Sequence, residues 1–377
     1  MAGIYFHVPF CKQACHYCDF HFSTNLKPME AMVWAMDHEL RLRKDFLGTK
    51  QIETIYFGGG TPSMIPATLL QQLLDRVHEL FEVSADVEIT LEANPDDINK
   101  EILAAWRTSG VNRLSIGIQT FDDDRLKFLN RAHDSREAIR SVELAKQHGF
   151  GNLTCDLIYA IPPNSMEKWE RDLDIMLELD IPHLSLYGLT VESETVFGKW
   201  KSAGKLKEVT ESANADQYAH AINTLSQAGY EHYEVSNFCL PGRYSRHNSA
   251  YWLQKPYLGI GPGAHSYDGH TRSFAIRNNT SYIRSLEKKE LPLEAEDLSP
   301  TQQANEYMLT RIRTGFGINP KEISTLAGVD FLEKFGSQLK SWINTGLMEA
   351  QGDIFRLTSL GMMNADEITL KLFLDEP

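Results

Sequence analysis

The sequence predicts an α/β fold: a partial, open (β/α)6 barrel of the TIM type, followed by a C-terminal, mostly helical, winged-helix-like module. Three observations predict it. Short apolar runs alternate with amphipathic helical stretches through the first half, which specifies a parallel sheet with crossover helices. Six such units are too few for a closed eight-stranded barrel. Residues able to carry chemistry fall at or just after the carboxyl ends of the expected strands, the face on which parallel barrels build their sites.

Taken in order, Ile4–Val8 reads as the first strand. Met29–Leu47 reads as a helix, with Met32, Val33, Met36 and Leu40 on one face. Thr54–Phe57 is the next strand and runs into three glycines. Strands follow at Val87–Leu91, Arg113–Ile118, Leu153–Tyr159 and His183–Leu189. Helices lie between them at Ala67–Phe81, Ile102–Ser109, Ser135–His148 and Met166–Leu179. From Pro292 the pattern changes to helices at Pro300–Ile312 and Asp330–Trp342. A β-ribbon follows, Leu347–Ala350 to Ile354–Leu357, turning at Gln351-Gly352-Asp353. The expected division is a barrel over 1–230, a connecting segment over 231–291 and the C-terminal module over 292–377.

Composition narrows the function. The 377 residues are 42% hydrophobic and 23% charged, with a formal net charge of −14. Such acidity argues against a nucleic-acid partner, since a polyanion needs a cationic surface. The C-terminal module carries 13 acidic and 7 basic residues, which favours a packing or lid role over DNA binding. No apolar run approaches the roughly 18 residues of a membrane span. The start of the chain shows no basic region and no apolar signal core, so a cytoplasmic location is expected.

The densest chemical signal is Cys11, Cys15 and Cys18, spaced C-x-x-x-C-x-x-C. Three thiolates can hold three irons of a 4Fe–4S cluster and leave the fourth open to the amino and carboxylate groups of S-adenosylmethionine (SAM). The alternative is zinc, which wants four protein ligands, usually in two pairs. Cys155 and Cys239 are isolated in apolar stretches and read as buried thiols, although either could return as a fourth ligand; His7, His16 and His21 lie close by.

Gly58-Gly59-Gly60-Thr61-Pro62 follows the second strand and reads either as a tight turn or as a bare-backbone cradle for the SAM amino group. Glu92 could accept hydrogen bonds from ribose hydroxyls or an ammonium, or be a solvated loop acid. Arg131 could fork onto a carboxylate or form a surface ion pair. Gln119 and Asp156 are ordinary taken singly. Tyr5 could stack beside the cluster or pack the barrel, and Phe20 is expected to shield the cluster from water. Between Tyr233 and Tyr267 lie Arg246-His247-Asn248-Ser249-Ala250-Tyr251-Trp252 and Gly259-Ile260-Gly261-Pro262-Gly263-Ala264-His265-Ser266. These could line a pocket for a flat hydrophobic ring, with imidazole as iron ligand. The residues alone favour a core loop in which His247 is a satisfied donor.

Together, the cysteine triplet with Tyr17 before its last member, the GGGTP loop and the series Glu92, Gln119, Arg131, Asp156 resemble the coproporphyrinogen-oxidase-like branch of the radical SAM superfamily, from Ile4 to about Phe373. The resemblance implies a barrel of radical SAM type and a 4Fe–4S cluster on Cys11, Cys15 and Cys18. It also implies SAM contacts at Tyr5, Gly59, Gly60, Thr61, Glu92, Gln119, Arg131 and Asp156. The oxidases of this branch carry a fourth cysteine two residues after the third, where this chain has Phe20. They also carry a long N-terminal arm, where this chain has ten residues before Cys11. His247 to Trp252 matches H-N-x-x-Y-W, a signature of the heme chaperones of the branch.

The resemblance therefore implies heme as cargo, with His247 a candidate contact. It further implies an apo-hemoprotein acceptor, an electron donor such as flavodoxin or ferredoxin, and room for transient membrane contact. Oxidative decarboxylation of coproporphyrinogen III is the second expectation, and a radical SAM reaction on an unrelated substrate the third.

Overall fold

The computed structural model describes residues 2–375; Met1, and Glu376 and Pro377 at the end of the expected C-terminal module, lie outside the described residues. Six strands run parallel in chain order: β1 (Gly3–Val8), β2 (Gln51–Gly59), β3 (Glu82–Ala93), β4 (Arg113–Gln119), β5 (Leu153–Tyr159) and β6 (His183–Gly188). All six expected strands are present. In β3, β4 and β6 apolar residues such as Leu114, Ile116 and Leu184 enter the core while the alternate Thr90, Ser115 and Ser185 line the barrel interior; β1 is buried at five of its six positions.

The crossover helices lie close to their expected positions. Lys100–Thr108 starts at Asn99, whose side chain accepts from the Ile102 N–H. Ser135–Gln147 starts on a capping box made by Asp134 and Glu137. Met29–Leu42 stops five residues short of the expected Leu47, the remainder being turns.

Residues 231–291, expected as a connecting segment, and the first strand of the expected C-terminal module extend the same sheet at both ends. β7 (Glu231–Glu234) and β8 (Asn237–Cys239) form an antiparallel hairpin beside β6. β9 (Tyr257–Ile260) pairs in parallel with β1, and β10 (His265–Tyr267), β11 (Thr271–Ala275) and β12 (Leu293–Asp297) continue outward antiparallel. The order is β12-β11-β10-β9-β1-β2-β3-β4-β5-β6-β8-β7, an open sheet of twelve strands among the described residues. β9 is thus a seventh parallel strand beyond the six expected. It has four residues and is interrupted by Gly259, so it carries little periodic signal.

One buried polar network ties this edge to the first helix. Arg43, 5% exposed, donates to Glu39 Oε1 (3.1 Å), the Gly259 carbonyl (2.9 Å) and the hydroxyls of Ser266 and Ser273 (3.0 Å each). Glu39 Oε2 accepts from the Gly261 N–H (2.9 Å) and the Tyr282 hydroxyl (2.5 Å).

The C-terminal module has helices at Pro300–Arg311, Pro320–Ala327 and Phe331–Asn344, then the ribbon β13 (Met348–Gln351) and β14 (Ile354–Leu357). The middle helix, with eight residues, is one the sequence pattern did not reveal. The module buries its own core around Met308, Ile323, Leu339 and Ile368. It meets the barrel through the Val235 N–H to Arg313 carbonyl bond (2.9 Å) and the Arg272–Glu306 ion pair (2.8 Å). No helix among the described residues is long and apolar enough to cross a membrane.

Candidate functional site

The cysteine loop leaves β1 at its carboxyl end and is held from three sides. Its stem is fixed to β2's end by the Gly60 N–H to Val8 carbonyl (2.8 Å) and Thr61 N–H to Phe10 carbonyl (2.7 Å) bonds. A Cβ on Gly60 would sit 2.7 Å from both of those carbonyl oxygens, so only glycine fits there. Beyond β4, the Phe128 and Asn130 carbonyls accept from His16 Nδ1 (2.9 Å) and Gln13 Nε2 (2.6 Å). Beyond β3, Asp96 pairs with Lys12 at 2.7 Å.

Cys11, Cys15 and Cys18 are all free and half-buried. Burial pushes the Cys11 thiol up, against the Thr61 hydroxyl, and pushes Cys18 up to about 11. Two donors face the sulfurs: Thr61 Oγ1 at 3.4 Å from Cys11, and Arg131 Nη1 at 3.4 Å from Cys15. Among the described residues no three His, Cys, Asp or Glu side chains converge on a position for one metal ion. Three thiols on one loop, supplied with a hydroxyl and a cationic donor, suit the thiolate ligation of an iron–sulfur cluster. Among the described residues the buried Arg131 Nε has no partner, as expected if a further acceptor belongs there.

The expected SAM residues gather beside this loop, apart from Asp156 deeper in the barrel. Arg131 is no surface ion pair: Nη2 donates to Asn94 Oδ1 (2.5 Å) and the Gly117 carbonyl (2.8 Å). Asn94 in turn donates to Thr61 Oγ1 (3.2 Å) and so links the two groups that face the sulfurs. Glu92 accepts from the Tyr56 hydroxyl (2.7 Å) and the Gly59 N–H (3.1 Å). Burial pushes Glu92 up to about 7 against those bonds, and the Asp156 charge adds to the rise. Burial likewise pushes Asp156 up to about 6. Gln119 is buried, with φ +71° at an irregularity between β4 and β5. Its amide overlies Gly117, where a Cβ would meet Nε2 at 2.8 Å. Tyr5 stacks on Tyr56 with centroids 6.0 Å apart, and its hydroxyl lies 3.2 Å from His7 Nδ1.

Two expectations change. Phe20, at a bend in the chain, is 64% exposed and lines the larger cavity instead of packing over the cysteines. His247 is only 2% exposed and stacks on Tyr56 at 5.0 Å. Its Nδ1 lies 2.7 Å from Thr54 Oγ1 and its Nε2 2.8 Å from Tyr251 Oη, so both ring nitrogens are engaged. Burial lowers it to about 3, which keeps the ring neutral. Sequence reasoning missed Asn94 and Tyr56; Asn94 stands just past the end of β3, a position that could have flagged it.

Two cavities adjoin, one reaching toward the amino-terminal starts of β4–β6 and one at the carboxyl-end loops. One, of about 300 Å³, lies within the barrel and includes Glu92, Arg113, Asp156 and His183. The other, of about 490 Å³, spans the cysteine loop, the β9–β10 turn and the C-terminal module. They share Tyr5, Glu92 and Tyr251.

Residues 5–176 match the radical SAM superfamily, and residues 298–363 match the HemN C-terminal domain. Fold and site together define a radical SAM protein of the coproporphyrinogen-oxidase-like branch. The chain is 35% identical over 373 residues to the heme chaperone HemW of Lactococcus lactis, covering 99% of this chain and 97% of that protein. It is 33% identical over 371 residues to heme chaperone HemW of Bacillus subtilis, covering 98% of each. The chain belongs to the HemW family. It also shares its fold with coproporphyrinogen III oxidase (HemN) of Escherichia coli, at a TM-score of 0.84 and 22% identity over 99% of this chain and 90% of that one.

Proposed function

We propose that this protein is a heme chaperone that holds heme and delivers it to an apo-hemoprotein, and that it carries a 4Fe–4S cluster and SAM. The observation that carries the reading is near-full-length similarity to proteins named heme chaperones, at 32–35% identity in three bacteria. Phe20 in place of the oxidase's fourth cysteine supports it.

When bound through Cys11, Cys15 and Cys18, the cluster would supply an open iron for SAM and a site for an electron from a donor such as flavodoxin or ferredoxin. The chain's own residues hold and orient. Thr61 and Arg131 donate toward the thiolates of Cys11 and Cys15. Gly59 and Gly60 bring bare backbone to the cradle, and Glu92 offers a carboxylate for an ammonium or ribose hydroxyls. Tyr5, Gln119 and Asp156 complete the proposed SAM contacts. An ammonium beside Glu92 would offset the burial that raises it and keep it ionised.

In this reading the C-terminal module, from about 292, acts as a lid over the larger cavity of the barrel. Delivery in the cytoplasm, with transient membrane contact at the acceptor, belongs to the same proposal. Two assays test it. Hemin titration should shift the Soret band and saturate near one equivalent per chain. Anaerobic incubation with coproporphyrinogen III and SAM should give no protoporphyrinogen. Product in the second assay without a shift in the first refutes the chaperone reading in favour of the oxidase.

A further inference from the structure

The two cavities differ in what they can hold. In the smaller one most polar groups are committed to one another, Arg113 to Asn152 and Thr154, His183 to Thr154 and Tyr233, and Ser185 to Asn237, and of those lining it only the Thr90 hydroxyl is buried without a partner among the described residues. The larger has free chemistry. His265 lines it, is exposed, and has no hydrogen-bond partner for either ring nitrogen among the described residues. Its ring rests near Phe274, centroids 5.6 Å apart. Arg277 also lines the cavity, is exposed, and has no ion-pair partner among the described residues. Arg272, by contrast, is held by Glu296 (2.6 Å) and Glu306 (2.8 Å). Phe20, Tyr257 and Leu298 supply apolar wall.

We propose that heme occupies this cavity, with His265 ligating the iron and Arg277 pairing with a propionate; the inference rests on the heme-delivery reading. The cargo asks for three things at once: apolar walls for a flat macrocycle, a neutral nitrogen for iron, and a cation at the edge for carboxylates. This cavity offers all three, and its volume of about 490 Å³ lies within the range of small-molecule sites. Burial, then the charges of Arg277 and Arg272, lower the His265 pKa, so its ring is neutral and its lone pair available.

The local sequence explains the placement. At Gly259 a Cβ would sit 2.0 Å from the His265 carbonyl oxygen. At Gly261 (φ +110°) it would sit 2.5 Å from the His7 carbonyl oxygen. At Gly263 (φ +80°) it would press within 3.3 Å of Arg277 Cγ. Glycines therefore let the turn close onto β1 and leave the Arg277 stem its room. The neighbouring Ser266 hydroxyl is held by buried Arg43, which fixes the backbone that carries His265. Because the cavity also reaches Gly59 and Glu92, heme would lie beside the proposed SAM cradle.

Hemin titration of the cluster-reconstituted full chain, read as a difference spectrum, tests this. His265→Ala should weaken hemin binding at least about tenfold and change the Soret position, as loss of an axial ligand requires. Arg277→Glu should weaken binding about tenfold or more with the Soret position kept, and Arg277→Lys should recover part of the loss. His265→Gln, polar and of similar reach, serves as a second variant, with circular dichroism checking the fold of each. A His265→Ala or His265→Gln protein that keeps wild-type affinity and spectrum overturns the assignment and leaves heme delivery standing. A wild-type protein that gives no Soret shift overturns both.

Discussion

Arg43→Met tests the most buried charged pair in the barrel. The guanidinium makes four hydrogen bonds, to Glu39, the Gly259 carbonyl, Ser266 and Ser273. Methionine fills the space of the stem but satisfies none of these acceptors. Glu39, wholly buried, then keeps only the Gly261 N–H and the Tyr282 hydroxyl. Removing one partner of a buried ion pair costs about 3–5 kcal/mol, because the other charge stays behind without compensation. Against a typical total of about 5–15 kcal/mol the loss is large. Burial already raises the Glu39 pKa with Arg43 in place, so removing the cation should drive the carboxyl toward its neutral form. The double variant Glu39→Gln/Arg43→Met removes the stranded charge and should recover at least about 1 kcal/mol of the loss. Urea unfolding followed by circular dichroism gives both numbers. If Arg43→Met stays within about 0.5 kcal/mol of wild type, or the double variant is no better than the single, the network is not the clamp between the first helix and β9–β11 argued above.

Three further outcomes are expected. The folded pKa of Glu92, about 7, lies above its ordinary 4.5, so its contribution to apoprotein stability is full at low pH and is lost as pH rises through about 7; Glu92→Gln should flatten that part of a urea-midpoint profile, and an unchanged slope contradicts the burial argument. Gly60→Ala places a Cβ 2.7 Å from two backbone carbonyl oxygens; it should cost about 1–3 kcal/mol and lower the iron and sulfide retained per chain after anaerobic reconstitution. Replacing Cys11, Cys15 and Cys18 together with alanine should abolish iron and sulfide incorporation yet leave the hemin titration within about twofold of wild type, since no cysteine is a proposed heme ligand; loss of both would tie heme binding to the cluster.

The barrel was legible because β1 to β6 each carry short apolar runs or alternations, such as Leu114, Ile116 and Ile118 in β4, and helix ends carry caps such as Asn99 and Asp134. The far edge was not. β9, β10 and β11 have four, three and five residues, too short for a period to emerge, and the pairing that joins them to the barrel, β9 to β1, spans more than two hundred positions. Glu39 and Arg43, four apart on one helix, look in sequence like an exposed pair. Only the arrival of Gly259, Gly261 and Tyr282 from the other end of the chain makes them core. The cysteine loop could be read from spacing alone; Asn94, which links Thr61 to Arg131, is marked only by its place just past the end of β3.

The histidines show why residue type and spacing underdetermine a site. His247 stands in H-N-x-x-Y-W, and that same spacing puts Tyr251 one helical turn away, where its hydroxyl meets Nε2 at 2.8 Å. Thr54, from β2, takes Nδ1. A ring fixed at both nitrogens and 2% exposed can support Tyr56 and Tyr251 at the boundary of the two cavities, but it offers iron no lone pair until those bonds break. His265 occupies an equally glycine-rich stretch with the opposite outcome. Its backbone is locked by the strand pair with β11, while its ring nitrogens over the cavity have no hydrogen-bond partner among the described residues. Polar satisfaction therefore distinguishes the two: a histidine whose bonds are complete serves the scaffold, and one whose bonds are unmade beside a free arginine is placed for a ligand.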